Sequence, residues 1–462
     1  MKHVDQWWDD TVVAHPPLWV ETTMGIDWGE SKNAYAVVGY GGHLLAEGSV
    51  EETPEGLEEL LSVLRRFAHP QEPDRLAPVA IETPRRLLVS ALQQAGVDVV
   101  PLNPKSVKKN REVRTARNGT KSDPTDARLI ADTLRTNPQW YRTTHSPTEQ
   151  ARAITVLNRA RDEAVIAAVR QANHIRSVLA EYHPNAVSAF SSEEMSKSLA
   201  PYWVLLDALT PAEAARLRVD GIVTRMQKPG GKRNAKGLEK TVAPRIRAAF
   251  KRPYLQYPPL VEAAFAANVR RDLEVLRAAV EHRVDLDKRL QTALEAHPYW
   301  DLLGPATGLG PVGLGGLVAE LGDDPERFRT VDNLAAFAGS APVLSESGKR
   351  GSTRRRDVKG NRLHKAMWHW GEGAYLHHPG AGYYYWTLRS KGSEHPHAIR
   401  KVMNKLLRGL LHCIKSGEVW DDNLVWRTVA TPEQVKELAD EVRASKRKGG
   451  KNTRPEPLPR AS

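Results

Sequence analysis

Thr22–Tyr40, TTMGIDWGESKNAYAVVGY, decides how the first part of the chain is read. An apolar run enters a polar turn, and a second run, Ala34 to Tyr40, returns beside it, the pattern of two antiparallel strands. A third strand, His43 to Val50, follows the Gly41-Gly42 turn, so the opening topology is a three-strand meander. Asp27 falls at the end of the first strand, where a carboxylate costs least if it faces an open site rather than a core. Taken alone, the same side chain serves equally well as a turn cap.

Downstream, Thr53-Pro54-Glu55 supplies an N-cap and a proline at the first helical position, opening a helix to about residue 68. Ala77 to Thr83 (APVAIET) is a short buried strand ending in Glu82, followed by a helix from Pro84 to Ala95 and a strand from Val97 to Leu102. Three antiparallel strands and then strand-helix-strand is the order of an RNase H-like fold. There the first and fourth strands are neighbours, which brings Asp27 and Glu82 together. Two carboxylates at adjacent strand ends repel unless a cation lies between them, and Mg²⁺ prefers such oxygen ligands.

Seven basic residues and one acid, Glu112, lie between Lys105 and Lys121. Lys105, Lys108, Lys109, Arg111 and Lys121 read as phosphate contacts beside the carboxylates, or as a solvated helix face. Asp123 and Asp126 then stand at i, i+3 on a helix start with Pro124 at its first position, which puts both on one face of the first turn. An ordinary capped helix, with Asp123 as the cap, is the competing reading.

The chain of 462 residues is long enough for two or three domains. Its net charge of +12 points to a polyanionic partner, most simply nucleic acid, although anionic membrane surfaces attract the same charge. No run of about 18 apolar residues appears and the N-terminus lacks a signal-peptide core, so a soluble, cytoplasmic, nucleoid-associated protein is expected. A single cysteine, Cys413, excludes an internal disulfide and a CxxC zinc site.

Residues 1–20 read as a leader and 21–145 as the first domain. Ser146-Pro147-Thr148-Glu149 is a capping box opening a long helix, and apolar seams along it (Ile154, Leu157, Ala164, Ala168, Ile175, Val178) and along a second helix (Val269, Leu273, Leu276, Val280, Leu290, Leu294) indicate a helical hairpin or coiled coil over 146–298. Arg161, Gln171, Arg283 and Asp287 interrupt the seams, which serve either a dimer contact or packing within one chain. A basic stretch at about 225–252 reads as a flexible insertion facing nucleic acid.

From 299 to 415 the character changes. GPATGLGPVGLGGLVAELGD is a Gly-x-Gly-Pro turn running into a helix, like helix-hairpin-helix modules that point backbone N–H groups at a phosphate. Gly308 and Gly310 would admit that approach, and a glycine-rich packing turn is the alternative. A polar loop then carries Ser345 and Ser347, followed by Lys349, Arg350, Arg354, Arg355 and Arg356, where a phosphodiester would be gripped and an attacking hydroxyl favoured. A basic helix, Ala398 to Ile414, follows. His364, His369, His377 and His378 do not form a metal set, and residues 416–462 read as a basic, partly disordered tail.

Together GIDWGESKN, IETP, the NPK segment leading to KSDPTDARLIADTL, TGLGPVGLGGLVAELGD, FAGSAPVLSESGK and KGNRLHKAM resemble the DEDD-type insertion-sequence transposases, the family that includes the pilin-gene invertase. The resemblance runs from about residue 22 to 415. It implies a RuvC-like domain in which Asp27, Glu82, Asp123 and Asp126 bind Mg²⁺ or Mn²⁺, and a mainly helical C-terminal transposase domain with a nucleophilic serine. Ser347, directly before Gly348, matches the family position, Ser345 competes with it, and Glu346 departs from the pattern. The resemblance also implies double-stranded target and donor DNA, a structured guide (bridge) RNA, and dimers that pair into a tetramer. A hydrolytic RuvC-type junction nuclease and a non-catalytic RNA- or DNA-binding protein are the competing functions.

Overall fold

The computed structural model describes residues 21–29, 32–82, 87–114, 122–138, 141, 147–231, 237–325, 327–347, 350–354, 356–357 and 359–447. The chain divides into two compact units, Met1–Ser146 and Pro147–Ser462.

In the first unit β1 (Thr22–Trp28), β2 (Asn33–Gly39) and β3 (Leu44–Val50) form the expected antiparallel meander, with Ile26 opposite Tyr35 and Tyr35 opposite Gly48. Thr53 caps α1 (Pro54–Arg66) by accepting from the Gly56 N–H, and the helix buries Leu60, Leu61, Val63 and Leu64. Then come β4 (Val79–Ile81), α2 (Leu87–Gln94), β5 (Val99–Pro101), α3 (Pro104–Arg114) and α4 (Asp123–Thr136). The sheet order is β3-β2-β1-β4-β5, with β4 parallel to both β1 and β5. The predicted adjacency of the first and fourth strands is therefore present.

Strand alternation divides the apolar side chains between two faces. Met24, Ile26, Val79 and Ile81 pack with the leucines of α1 and α2, whereas Ala80 and Val100 pack with Leu129, Ile130 and Leu134 of α4. The face of β1 and β2 under α4 is lined by small residues: Ala34 and Ala36 meet Ala127 there. Gly25 is required at that contact. A Cβ on it would lie 2.1 Å from the Ala127 carbonyl oxygen and 2.4 Å from the Ala131 nitrogen, so the helix backbone rests directly on the strand. The Thr23 hydroxyl donates to the Ala131 carbonyl at 3.0 Å beside it.

The second unit begins with α5 (Glu149–Tyr182), capped by Thr148 rather than by Ser146, which lies outside the described residues. Five short helices follow: α6 (Pro184–Ala189), α7 (Ser192–Lys197), α8 (Ala200–Leu205), α9 (Pro211–Arg216) and α10 (Val219–Met226). One π-helical turn, Leu238–Val242, leads into α11 (Ala243–Phe250) and then α12 (Pro259–Glu295). The seams of α5 and α12 are packed against each other within the one chain. Ala168, Ala172, Ile175 and Leu179 share a core with Val269, Leu273, Leu276 and Val280, and Ile154 meets Leu290 and Leu294. Arg161, Asp287 and Gln171 make their polar contacts across the seam. The Arg161 Nε donates to Asp287 at 2.9 Å, and the Gln171 amide donates to the Asp272 carbonyl at 3.2 Å. A one-turn slip would separate these partners, so they fix the register.

The supposed flexible insertion at 225–252 is largely folded. Met226, Leu238, Ile246 and Phe250 are buried in the same core, and residues 232–236 lie outside the described set. Apolar side chains at helical spacing outweigh the basic composition that suggested flexibility.

The chain continues through α13 (Tyr299–Leu303), α14 (Gly310–Leu321), α15 (Val331–Ala338), a ribbon of β6 (Val343–Ser347) and β7 (Arg350–Arg354), α16 (Asn361–His377), α17 (Pro379–Ser390) and α18 (His395–Ser416). Residues 416–447, read from sequence as part of a tail, carry α19 (Asp422–Trp426) and α20 (Pro432–Arg447), and Trp420 and Trp426 are buried in the core of this region. Among the described residues no helix is long and apolar enough to cross a membrane.

Substituting Gly25→Ala should cost about 3 kcal/mol or more of unfolding free energy, because backbone rather than a flexible side chain must yield. Urea denaturation of the full-length protein checks this.

Candidate active site

Asp27 stands one residue before the end of β1 and Glu82 directly follows β4. Ile26 and Ile81 are partners in the parallel ladder, so the two acids leave adjacent strands side by side. Asp123 and Asp126 begin α4, the helix that Gly25 admits onto β1. The N-cap of α4 is Ser122, one residue earlier than the capping reading of Asp123 required. Asp126 is buried, at 3% exposure, while Asp123 is exposed and reaches back over the strand end. A Cβ placed on Gly29 would lie 3.7 Å from an Asp123 carboxylate oxygen.

The electrostatics show that these acids share one field. Burial, and then the charges of Asp126, Glu82 and Asp123 in that order, push the Asp27 carboxyl up to about 6, partly offset by a hydrogen bond from the Trp28 N–H. Every acid that sequence reading assigned to the site therefore acts on Asp27. On the buried side Arg111, from the basic helix α3, holds an Asp126 oxygen at 2.8 Å. Arg111 was expected on phosphate, but its guanidinium is instead turned to the acid cluster. Lys108 and Lys109 are exposed on the same helix, whereas the Lys105 side chain and Lys121 lie outside the described residues.

Among the described residues no three Asp, Glu, His or Cys side chains stand close enough to enclose a metal ion. The donor chemistry nevertheless suits one: carboxylate oxygens only, three of which raise the cost of charging Asp27. Asp27, Glu82, Asp123 and Asp126 are the residues that would hold it.

In the second unit, the loop expected around the serines is an antiparallel ribbon. Ser345 is paired in register with Ser352, and Ser347 with Arg350 at the ribbon's end. Arg350 and Arg354 lie on β7, Arg356 is half-buried, and Gly348, Lys349 and Arg355 are outside the described residues. Of the four histidines, His364 Nδ1 is bonded to the Ala338 carbonyl at 2.8 Å, and His378 caps α17.

Gly308, at φ +82°, is pressed against α16, where its Cβ would fall 2.3 Å from the Gly373 carbonyl carbon. Helix packing by itself excludes a side chain there, as the packing-turn alternative expects. Gly310, at φ +59°, faces open space. Sequence reading missed what fixes this turn. Asp422 accepts from the Thr307 N–H at 3.1 Å, the Thr307 hydroxyl at 2.6 Å and the Trp420 indole at 2.9 Å. Nothing in the sequence pairs residues this far apart; the only local sign is the acidic pair before a short helix.

Residues 24–184, which include all four acids, match a family model described as "Transposase" (the DEDD type of IS110 elements). Residues 301–385, which include Ser347, match one described as "Transposase IS116/IS110/IS902 family". The mini-circle putative transposase for IS117 of Streptomyces coelicolor is 35% identical over 399 residues, 86% of this chain and 95% of its own length. A protein of insertion element IS116 from Streptomyces clavuligerus is 25% identical, covering 85% of this chain and 93% of its own. Both matched regions are parts of transposases, the class of protein that moves DNA segments. The chain belongs to the IS116/IS110/IS902 transposase family.

Two outcomes test the acid cluster. Because the Asp27 carboxyl is raised from 3.8 to about 6, its contribution favours the folded state at low pH and is lost as pH rises through 6. In EDTA, Asp27→Asn should therefore be more stable than wild type at pH 7.5 by about 1 kcal/mol, after allowance for solvent screening, and the advantage should vanish by about pH 4. Calorimetric Tm values across that range read it. Arg111→Ala strands a buried carboxylate and should cost on the order of 2–4 kcal/mol in metal-free urea titrations.

Proposed function

We propose that this transposase exchanges DNA strands through a serine–DNA intermediate, using a RuvC-like, RNase H-type acid site that takes Mg²⁺ or Mn²⁺. The observation that carries the reading is the Asp27 carboxyl at the end of β1, raised by burial and by three other acids delivered from the end of β4 and from α4. Mutual repulsion of that kind is useful where positive charge will be drawn in. The strand order, with β1 and β4 parallel neighbours, supports the RNase H-type assignment.

A bound divalent ion would supply charge stabilisation to the phosphoryl group under attack. The remaining chemistry belongs to the chain. The Ser347 oxygen forms a bond to phosphorus as the bond to a deoxyribose oxygen breaks. The serine proton is lost, and the departing oxygen gains one. The number of ester bonds to phosphorus is conserved, so a hydroxyl from another strand can reverse the step without ATP or a ligase. Water attack would dissipate that bond.

Lys108 and Lys109 of α3 and the cations after Ser347 are proposed to grip phosphates. A structured guide RNA and a homo-oligomer, dimers pairing into a tetramer, complete the proposal. The net charge of +12 supports a large polyanionic partner.

Ser347→Ala should abolish strand exchange and the covalent protein–DNA adduct seen on denaturing gels, whereas Ser345→Ala should retain both. An Ser347→Ala protein that still cuts its DNA at the wild-type rate would indicate the hydrolytic nuclease instead.

A further inference from the structure

Helix α18 (His395–Ser416) contains no Asp, Glu, Phe, Tyr or Trp in its 22 residues. Its inner face is committed to the core through Ala398, Ile399, Val402, Met403, Leu406 and Leu410. On the other side, at successive steps of three or four, stand His397, Lys401, Lys405, Arg408, His412 and Lys415. At 1.5 Å per residue this row runs about 27 Å.

The cations of the row act on one another. Burial, then Arg408 and Arg427, pulls the Lys405 ammonium below its usual range, so Arg427, just beyond α19, extends the positive field sideways. Burial, then Lys401 and Arg400, does the same to His397. At the C-terminal end His412 is bonded to Glu418 at 2.9 Å. Lys415 there donates to the Arg329 carbonyl at 3.1 Å. Lys405 lies 4.7 Å from the centre of the Tyr384 ring and 5.7 Å from that of Trp426, which is buried.

We propose that this face of α18 is a track for the backbone of double-stranded DNA. A straight row of cations complements a polyphosphate rod. Surfaces for single strands and for RNA loops rely on exposed aromatic rings that stack on bases, and α18 offers no such ring. The contact is independent of sequence and distinct from the acid cluster and the serine ribbon. DNA binding itself follows from the transposase family; the assignment of this surface is what is added.

The test uses the full-length protein and a labelled 30-base-pair duplex of arbitrary sequence, with anisotropy read from 50 to 300 mM salt. A variant with Lys401→Gln, Arg408→Gln and Lys415→Gln is expected to weaken binding at least tenfold at 100 mM salt. The slope of log affinity against log salt should fall by about 2 to 3, at roughly 0.9 per phosphate contact. A control with Arg270→Gln, Arg271→Gln and Lys288→Gln removes the same charge from α12 and should leave the slope unchanged. Should the first variant fail to fold, the single exposed change Arg408→Glu takes its place, with a smaller loss in the same direction. An unchanged slope overturns the proposal, as does an equal loss in the control. A loss confined to a structured RNA of similar length also overturns it, by naming a different occupant. Wild-type protein with no salt-dependent affinity for the duplex would instead remove the DNA-binding reading beneath it.

Discussion

A backbone contact without side chains underlies the first unit. Helix α4 rests on β1 where Gly25 meets Ala127 and Ala131, and any Cβ at position 25 would overlap main-chain atoms. That closeness brings the first turn of α4 to the end of β1, and so brings Asp123 and Asp126 to Asp27 and Glu82. The alanines of β2 and α4 serve the same purpose. Small residues here exchange buried apolar area for nearness of charge.

The cost of this arrangement is electrostatic. Asp27 is raised well above an ordinary aspartate by burial and by its three acidic neighbours. Arg111 supplies the compensating positive charge that the fold itself provides, at the most buried member of the cluster. A site that is internally repulsive, with one acid held by an arginine, is stabilised by an incoming cation. The second unit contributes differently. Its long helices are locked in register by Arg161–Asp287 and Gln171–Asp272, and its C-terminal region is closed by Trp420, Trp426 and the Asp422 clamp on Thr307.

Much of this was legible because the relevant signals are local or periodic. The meander followed from alternation and glycine turns and the adjacency of β1 and β4 from element order, whereas position at element ends left Asp27, Asp123 and Asp126 open between caps and site residues, and the resemblance alone grouped the four acids. The seams of α5 and α12 were visible as heptad-like spacing, although spacing alone could not say whether the partner lay in the same chain. What escaped reading depends on distant contacts. Gly308 is a glycine because α16 crosses it, and Asp422 matters because Thr307 lies beside it. The basic stretch near 225–252 misled because its charge is conspicuous, while Leu238, Ile246 and Phe250, which fold it, are spread thinly among the cations. Arg111 was grouped with phosphate contacts for the same reason: sequence shows its charge but not the acid it faces.

The reading of the first unit rests on four acids from β1, β4 and α4 sharing one electrostatic site. Carbon-13 NMR of the metal-free, full-length protein labelled at the aspartate side-chain carboxyl carbon tests it most directly. One carboxyl is expected to titrate at about 6, to vanish in Asp27→Asn, and to move down towards the ordinary range in Asp126→Asn and Glu82→Gln. If Asp27 titrates near 4 in the wild type, or at about 6 regardless of its neighbours, the acids do not form one site and the account fails.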